Sequence, residues 1–444
     1  MIVFYNLLWL IIIALGFPVI ALLILVSAKR RSTFLHRLGL KALPAEIAVR
    51  GGRRSAQKVL WVHALSVGEV LSAVALVGAL NKDFGEFELF FSVSTQTGFE
   101  IAKRRLNGQV QAVFFFPYDL FFSVMRAVRA VNPDLVIMVE TDVWPNFMFA
   151  LKRAGIPAIL VNARISDHSL KNYKRFSYFS GRLFSRFTKI CAQSAPDAAN
   201  FKRLGVPDRQ VVMTGNLKFD QKFNPISRDE KEKLKQMLQL ERPAKLFVAG
   251  STHNGEEVIL KDAFIQIKKR FLNFMLVIVP RDPKRAGRVK GLFKGAGVQA
   301  ALISELNAAG PHDTVDVVVV DTIGLLGRLY GLADTAFIGG SLVGSGGHNP
   351  LEAAAYAVPI LFGPDMSDFK EVSRMLLDSG GAVEVGDVED LVRAVDTIFR
   401  KTDQAAFMGR RAHEVFRGNQ GAVAHTLQVI RGAVGSRRGS EKAC

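Results

Sequence analysis

Glu69, Glu140, Arg281 and Glu352 each lie at or just past the end of a short apolar run or tight turn, positions that suit proton transfer and anion binding. Glu69 closes HALSVGE (63–69), where Ser66 is followed three residues later by an acid. That spacing fits a helix capping box. It equally suits a general base held where a strand ends. The two roles pull the carboxyl in opposite directions: a helix N-terminus favours carboxylate, and burial opposes it. A base working near neutrality needs burial to prevail. Glu140, in VETDVWPN (139–146), stands beside Thr141 and Asp142 and reads as a second site acid or a supporting hydrogen-bonding acid. Arg281, in VPRD (279–282), suits a phosphate or carboxylate, its planar fork donating two bonds at once; its ordinary alternative is an exposed ion pair.

The densest signal is GGSLVGSGGHNPLE (339–352). Its glycines let backbone approach a ligand. Asn349 and Pro350 open a predicted helix whose N-terminus favours a phosphate, with Pro350 at the first helical position. Glu352 caps that helix or takes ribose hydroxyls. Metal chemistry has little support: His63, His253 and His348 fall on three separate turns. The two cysteines, Cys191 and the terminal Cys444, exclude a disulfide framework and a cysteine metal site. No GxGxxG follows a strand, and the phosphate-loop, HExxH and GxSxG patterns are absent.

These residues need rigid elements behind them. Apolar runs at 58–66, 87–95, 134–140, 158–164, 189–194 and 211–216 read as strands. The pattern restarts at 245–251, 274–281, 298–304, 315–321, 335–341 and 359–364. Several lack alternation, as parallel strands buried on both faces do. The fold class is therefore α/β, with two parallel-sheet domains. Ser or Asn followed three residues later by an acid recurs after strands, at Ser66, Ser194, Asn254 and Asn349. Such strand-to-helix turns mark the carboxyl ends of strands, where ligands bind. Two such sheets facing each other would make a cleft for a phosphorylated ligand. The expected boundaries are an anchor over 1–28, a first domain over 29–226, a charged linker over 227–245, a second domain over 246–435 and a disordered tail over 436–444.

Twenty uncharged residues, Leu7 to Val26, match a bilayer core of about 30 Å and predict one N-terminal transmembrane helix. Lys29, Arg30 and Arg31 follow it, which by the positive-inside rule puts the rest of the chain in the cytoplasm. With 58 Lys and Arg against 40 Asp and Glu, the formal net charge is +18, pointing to an anionic partner. The basic cluster after the anchor suits anionic membrane lipids. Bases and aromatics interleave in LKNYKRFSYFSGRLFSRFTK (170–189), which reads as an ordinary helix or a membrane interface. FFFPYDLFF (114–122) reads as buried strand or as an apolar lip for a lipid. A basic nucleic-acid-binding protein is the disfavoured non-enzyme alternative.

HALSVGE (63–69), VETDVWPN (139–146), NARISDHS (162–169), TGNLKFD (214–220), GSTHNGEE (250–257), VPRDPKR (279–285) and GGSLVGSGGHNPLEAAA (339–355) occur in this order. Together they resemble the 3-deoxy-D-manno-octulosonic acid (Kdo) transferases of Gram-negative bacteria, over nearly the whole chain. The resemblance implies a GT-B fold, two Rossmann-like domains with the active site between them. It implies transfer of Kdo from CMP-Kdo to the tetra-acylated lipid A precursor at the cytoplasmic face of the inner membrane, with inversion and with no cofactor or essential metal. By position, Glu69 resembles the general base and Glu140 a second active-site acid. Arg281 would meet the CMP phosphate. The turn carrying Gly339, Gly340, Ser341, Gly346, Gly347, His348 and Asn349 would hold the nucleotide, and Glu352 the ribose. Ser251, Thr252 and His253 would line the same cleft, joined by Ser66, Asn216 and Lys218. Two departures touch the donor side: Asp282 stands where the family usually has His, and Leu325 where it usually has Glu. Other GT-B transferases using a different nucleotide sugar are the enzyme alternative.

Overall fold

The computed structural model describes residues 2–41, 43–48, 57–141, 143–165, 167–175, 177–221, 223, 225–240, 245–308 and 315–441. Asp142 and part of the basic stretch after the anchor lie outside the described residues. The chain forms two compact units, one of Met1–Gln221 with Gln420–Cys444, the other of Lys222–Asn419.

The first unit is built on β1 (Lys58–Ala64), β2 (Phe87–Val93), β3 (Ala112–Phe115), β4 (Leu135–Val139), β5 (Ala158–Ala163), β6 (Lys189–Ala192) and β7 (Val211–Met213). They form one parallel sheet in the order β3-β2-β1-β4-β5-β6-β7. Successive strand residues face opposite sides. Trp61, Met138 and Leu160 therefore enter one helix-covered core, and Leu60, Val62, Ile137 and Ile159 the other. Apolar side chains on both faces explain why β4 reads as an unbroken run and is buried throughout.

The second unit repeats the plan with β8 (Lys245–Thr252), β9 (Phe274–Pro280), β10 (Ala300–Leu302), β11 (Val317–Val319), β12 (Thr335–Ile338), β13 (Ile360–Phe362) and β14 (Ala382–Glu384). Its parallel order is β10-β11-β9-β8-β12-β13-β14. In the first sheet the order reverses between β1 and β4, and in the second between β8 and β12. Open α/β sheets bind ligands at such switch points, outside the carboxyl ends of the strands.

The N-terminal helix, Ile2–Val26, is apolar on every side, with a mean hydropathy of 2.3 over Ile2–Val19, and its large side chains are exposed. It is long and apolar enough to cross a membrane. Near its start Tyr5 Oη donates to Asp119 Oδ2 at 3.0 Å, and Asn6 and Asn146 exchange amide hydrogen bonds at 3.0 and 2.8 Å. Beyond it, the Ala28–Arg37 helix ends against the first unit, where Arg37 Nε donates to the Phe116 carbonyl at 3.0 Å.

Four expectations are corrected. The final helix, Ala422–Glu441, belongs to the first unit: Asp220 accepts from Gly421 N and Val423 N at 2.6 and 2.5 Å, and Ala422, Leu427 and Ile430 enter that unit's core. The predicted disordered tail is helical as far as Glu441. The charged linker is part of the second unit, since Ser227 and Glu230 form a true capping box on the Arg228–Met237 helix and Glu230 pairs with Arg328. Asn254 is exposed and caps nothing; the Glu256–Lys268 helix starts from Gly255, whose φ of 103° only glycine adopts readily.

Aromatics in the 170–189 stretch mostly face the core. Phe184 and Phe187 are buried, and Tyr173 packs edge-on to Phe184, while Tyr178 is exposed. The 114–122 stretch divides: Phe114 and Phe116 are buried, whereas Phe121 and Phe122 stand exposed at the start of the Phe121–Val131 helix.

Candidate active site

In the first unit the switch point carries both predicted acids. Ser66, at the end of the β1 turn, caps the Val67–Asp83 helix by accepting from Glu69 N at 3.4 Å. The Glu69 side chain is buried, and its Oε2 accepts from Leu65 N, one residue earlier than in a standard capping box. Cap and candidate base are thus the same side chain, with Oε2 committed to the backbone. Glu140 follows β4, the strand paired with β1 on its other side. Its φ is +59°, a left-handed conformation that strains a residue with a Cβ. Its amide donates to Val161 O at 2.8 Å, which fixes the turn. Ser251 near the end of β8 and Asn162 near the end of β5 are also left-handed, with φ of 56° and 54°. Strain of this kind collects where backbone must be aimed at something.

Asn216 has a positioning task. Its Oδ1 accepts from Lys218 N at 3.0 Å, and its Nδ2 donates to Gln193 Oε1 at 3.0 Å. Gln193 in turn holds the Asn162 carbonyl at 2.8 Å. Asn216 is buried and Lys218 half-buried, so the backbone at Lys218 is fixed by a polar network around the carboxyl end of β5.

In the second unit the β8 and β12 turns are bound together by a side chain that spacing did not single out. Glu256 is fully buried. Its Oε2 accepts from His253 N and Gly340 N, both at 2.8 Å; its Oε1 accepts from Ser341 N and Leu342 N, both at 3.0 Å. One carboxylate therefore organises four backbone amides on either side of the switch point. Glu257 beside it accepts from Thr252 Oγ1 at 3.0 Å and from Arg285 through both nitrogens at 3.0 Å. Arg285 is thereby committed to structure. Arg281 is exposed and its guanidinium makes no ion pair among the described residues.

His253 and His348 face each other, Nε2 to Nε2 at 2.8 Å, with rings stacked at 5.1 Å. One of the two nitrogens donates and the other accepts. Burial, with Arg281 and His253 nearby, lowers the His348 pKa to about 4, so it is neutral at physiological pH. Ser251, Thr252, His253, Arg281, Ser341 and His348 are thus gathered around one sheet end, and Asn349 continues the same turn. Asn349 Oδ1 accepts from Leu351 N at 3.1 Å. The helix it opens is a single turn, Leu351–Ala354, so the expected dipole is small and Pro350 precedes it as the cap.

The glycines of this turn are explained largely by protein rather than ligand. A Cβ on Gly339 would meet the Ser251 carbonyl at 2.4 Å, and one on Gly347 would meet Met366 Sδ at 2.3 Å. Glu352 lies half-buried beside Gly327; its charge, after burial itself, pushes the Tyr330 and Tyr356 hydroxyls up. Asp282 is exposed and accepts from Lys284 N at 3.1 Å, capping the short turn Pro283–Arg285. Leu325 precedes the Leu326–Tyr330 helix with no side-chain cap bond.

The family model for 3-deoxy-D-manno-octulosonic-acid transferase (kdotransferase) matches residues 34–221. A 3-deoxy-D-manno-octulosonic acid transferase of Haemophilus influenzae is 33% identical over 373 residues, which cover 84% of this chain and 86% of that one. One from Rickettsia felis is 29% identical over 377 residues, 84% of this chain and 79% of that one. Among solved structures, the UDP-GlcNAc 2-epimerase of Neisseria meningitidis matches with a TM-score of 0.59 at 15% identity, over 84% of this chain and 99% of that one, a likeness of fold alone. With two parallel sheets flanked by helices in the GT-B manner and a relative 33% identical over 84% of this chain, the chain belongs to the Kdo transferase family and is a glycosyltransferase.

Proposed function

We propose that the protein transfers Kdo from CMP-Kdo to a hydroxyl of the tetra-acylated lipid A precursor, with inversion at the anomeric carbon. The carrying observation is that the predicted residues fall at the two sheets' switch points, acids on the first and cation with glycine turn on the second. Glu69 takes the proton of the acceptor hydroxyl as its oxygen attacks the anomeric carbon. The bond from that carbon to the CMP phosphate breaks, and CMP leaves with the electron pair. Arg281 meets the leaving phosphate and the turn from Gly339 to Asn349 holds the nucleotide, while Glu352 takes the ribose. Glu140 lies near donor and acceptor, and its fixed turn supports that role. Ser66, Asn216 and Lys218 complete the first unit's share. The apolar helix attaches the enzyme to the inner membrane, with both units on the cytoplasmic side, where basic residues meet anionic lipids.

The test is release of CMP from CMP-Kdo, measured with and without the lipid acceptor, the lipid products being weighed. UDP sugars serve as competing donors. Glu69→Gln should lower kcat by about 10²- to 10⁴-fold, the range for a lost general base, with CMP binding retained. Turnover of the variant at the wild-type rate would return Glu69 to a capping role. Absence of acceptor-dependent CMP release by folded wild type would sink the transferase assignment.

A further inference from the structure

The first unit has a groove of about 750 Å³ that the reaction does not use. It is lined by Phe121, Phe122, Met125, Arg126, Arg129 and Arg153. Phe122, Arg126 and Arg129 share one face of the Phe121–Val131 helix by their spacing of four and three residues. Arg153 comes from the end of the Pro145–Arg153 helix. No acid lines the groove, and the three arginines are exposed and form no ion pair among the described residues. Two large aromatics beside them are 46% and 55% exposed. Exposed phenylalanine next to unpaired guanidinium is costly for a surface that meets only water, and suits a ligand with an anionic end and an apolar end.

The surroundings select the source of that ligand. Ser123, on the Phe121–Val131 helix, donates to the Leu38 carbonyl at 2.8 Å, and Arg37 Nε donates to the Phe116 carbonyl at 3.0 Å. The groove's helix is therefore tied to the segment that directly follows the N-terminal helix, which among the described residues is the one apolar enough for a membrane. We propose that this groove binds the head group of an anionic bilayer phospholipid, the phosphate on Arg126, Arg129 and Arg153 and the start of the acyl chains on Phe121 and Phe122. This rests on the membrane attachment proposed above. The lipid is a resident of the bilayer and not the reacting acceptor.

The test uses the full chain in neutral detergent and counts retained lipid by native mass spectrometry. The probes are phosphatidylglycerol, phosphatidylcholine and inorganic phosphate. Wild type should retain phosphatidylglycerol in preference to phosphatidylcholine. R126A/R129A/R153A should bind it about 100-fold more weakly, by the usual contribution of a basic residue near anionic lipid. The R126K/R129K/R153K variant should keep most of the affinity. F121A/F122A should weaken lipid retention without affecting inorganic phosphate. The sites are exposed, and unchanged tryptophan fluorescence checks the fold of each variant.

Equal retention of phosphatidylglycerol by the triple alanine variant would overturn the proposal. So would phosphatidylcholine bound as well as phosphatidylglycerol, or phosphate alone displacing the lipid in the F121A/F122A background as in wild type. Acceptor-dependent CMP release in detergent should be unchanged in the triple variant; a raised KM for the acceptor would show that the groove holds acceptor, and refute the assignment to a resident lipid. A wild-type protein that binds phosphatidylglycerol but transfers no Kdo would sink the reaction assignment while leaving this site standing.

Discussion

Replacing Glu256 by glutamine keeps size and shape but turns one acceptor oxygen into a donor. Either orientation of the amide sets NH₂ against two backbone N–H groups: those of Ser341 and Leu342, or those of His253 and Gly340. Two charge-assisted bonds are lost, worth about 1.5–3 kcal/mol each, and two buried donors lose their partner. The local cost is about 3–6 kcal/mol, or roughly 10²- to 10⁴-fold in the opening equilibrium of the turn. Hydrogen exchange read by mass spectrometry over 339–352 measures this directly. The three tryptophans, Trp9, Trp61 and Trp144, all belong to the first unit, so their fluorescence on urea titration serves as an internal control. Faster exchange at Gly340–Leu342 with an unchanged tryptophan transition is the expected result. CMP affinity should fall with it if the turn holds the nucleotide. Amides of Gly340–Leu342 protected as in wild type would refute the idea that this carboxylate organises the two turns.

The His348 ring gives a pH dependence of defined sign. Its folded pKa of about 4 lies below the ordinary 6.5, so the unfolded chain binds the proton more readily. The neutral ring's contribution is complete above pH 6.5 and is lost as pH falls through about 4. Its full size is ~3 kcal/mol at most, less any solvent screening at this partly exposed site. Urea unfolding of the second unit, followed by hydrogen exchange from pH 7 to 4, should show this slope, and His348→Gln should flatten it. Asp119→Ala should cost about 2–5 kcal/mol, because Asn146 N and Phe147 N, bonded to Asp119 at 3.0 and 2.9 Å, are buried and would be left without that acceptor. Trp144 fluorescence on urea titration reads that loss, and a midpoint equal to wild type would show that the helix end is capped otherwise.

Most strands were legible because a parallel strand covered on both faces must be apolar along its length. The pattern omitted β14, an edge strand with two of its three residues exposed, which needs no run of apolar side chains; the other edge strand, β3, overlaps the 114–122 stretch that read equally as buried strand or apolar lip. The turn acids were legible for a local reason, since a cap spans only three residues. The capping-box spacing from Asn254 pointed to Glu257, and Glu256 beside it had no signal of its own. Its real partners, Gly340, Ser341 and Leu342, lie more than eighty positions further on, and local spacing carries no trace of them. The same limit applies to the return of the final helix to the first unit, which depends on Asp220 meeting Gly421 across 201 residues.

The departures from the family pattern look different once their surroundings are known. An acid at position 282 would oppose a phosphate near Arg281 if its carboxylate faced the same way. Asp282 instead accepts from Lys284 N, and Lys284 and Arg285 follow it within the same short turn. Arg285 is bound to Glu257 through both nitrogens, which commits its charge within the protein. Arg281 is left as the cation of this turn best placed beside His348, and its field is one of the causes that keep that ring neutral. A neutral His348 can then give or accept a single hydrogen bond toward His253 without adding a second positive charge. The labour is divided: one arginine builds the turn, the other stays exposed, and the acid between them is occupied by backbone.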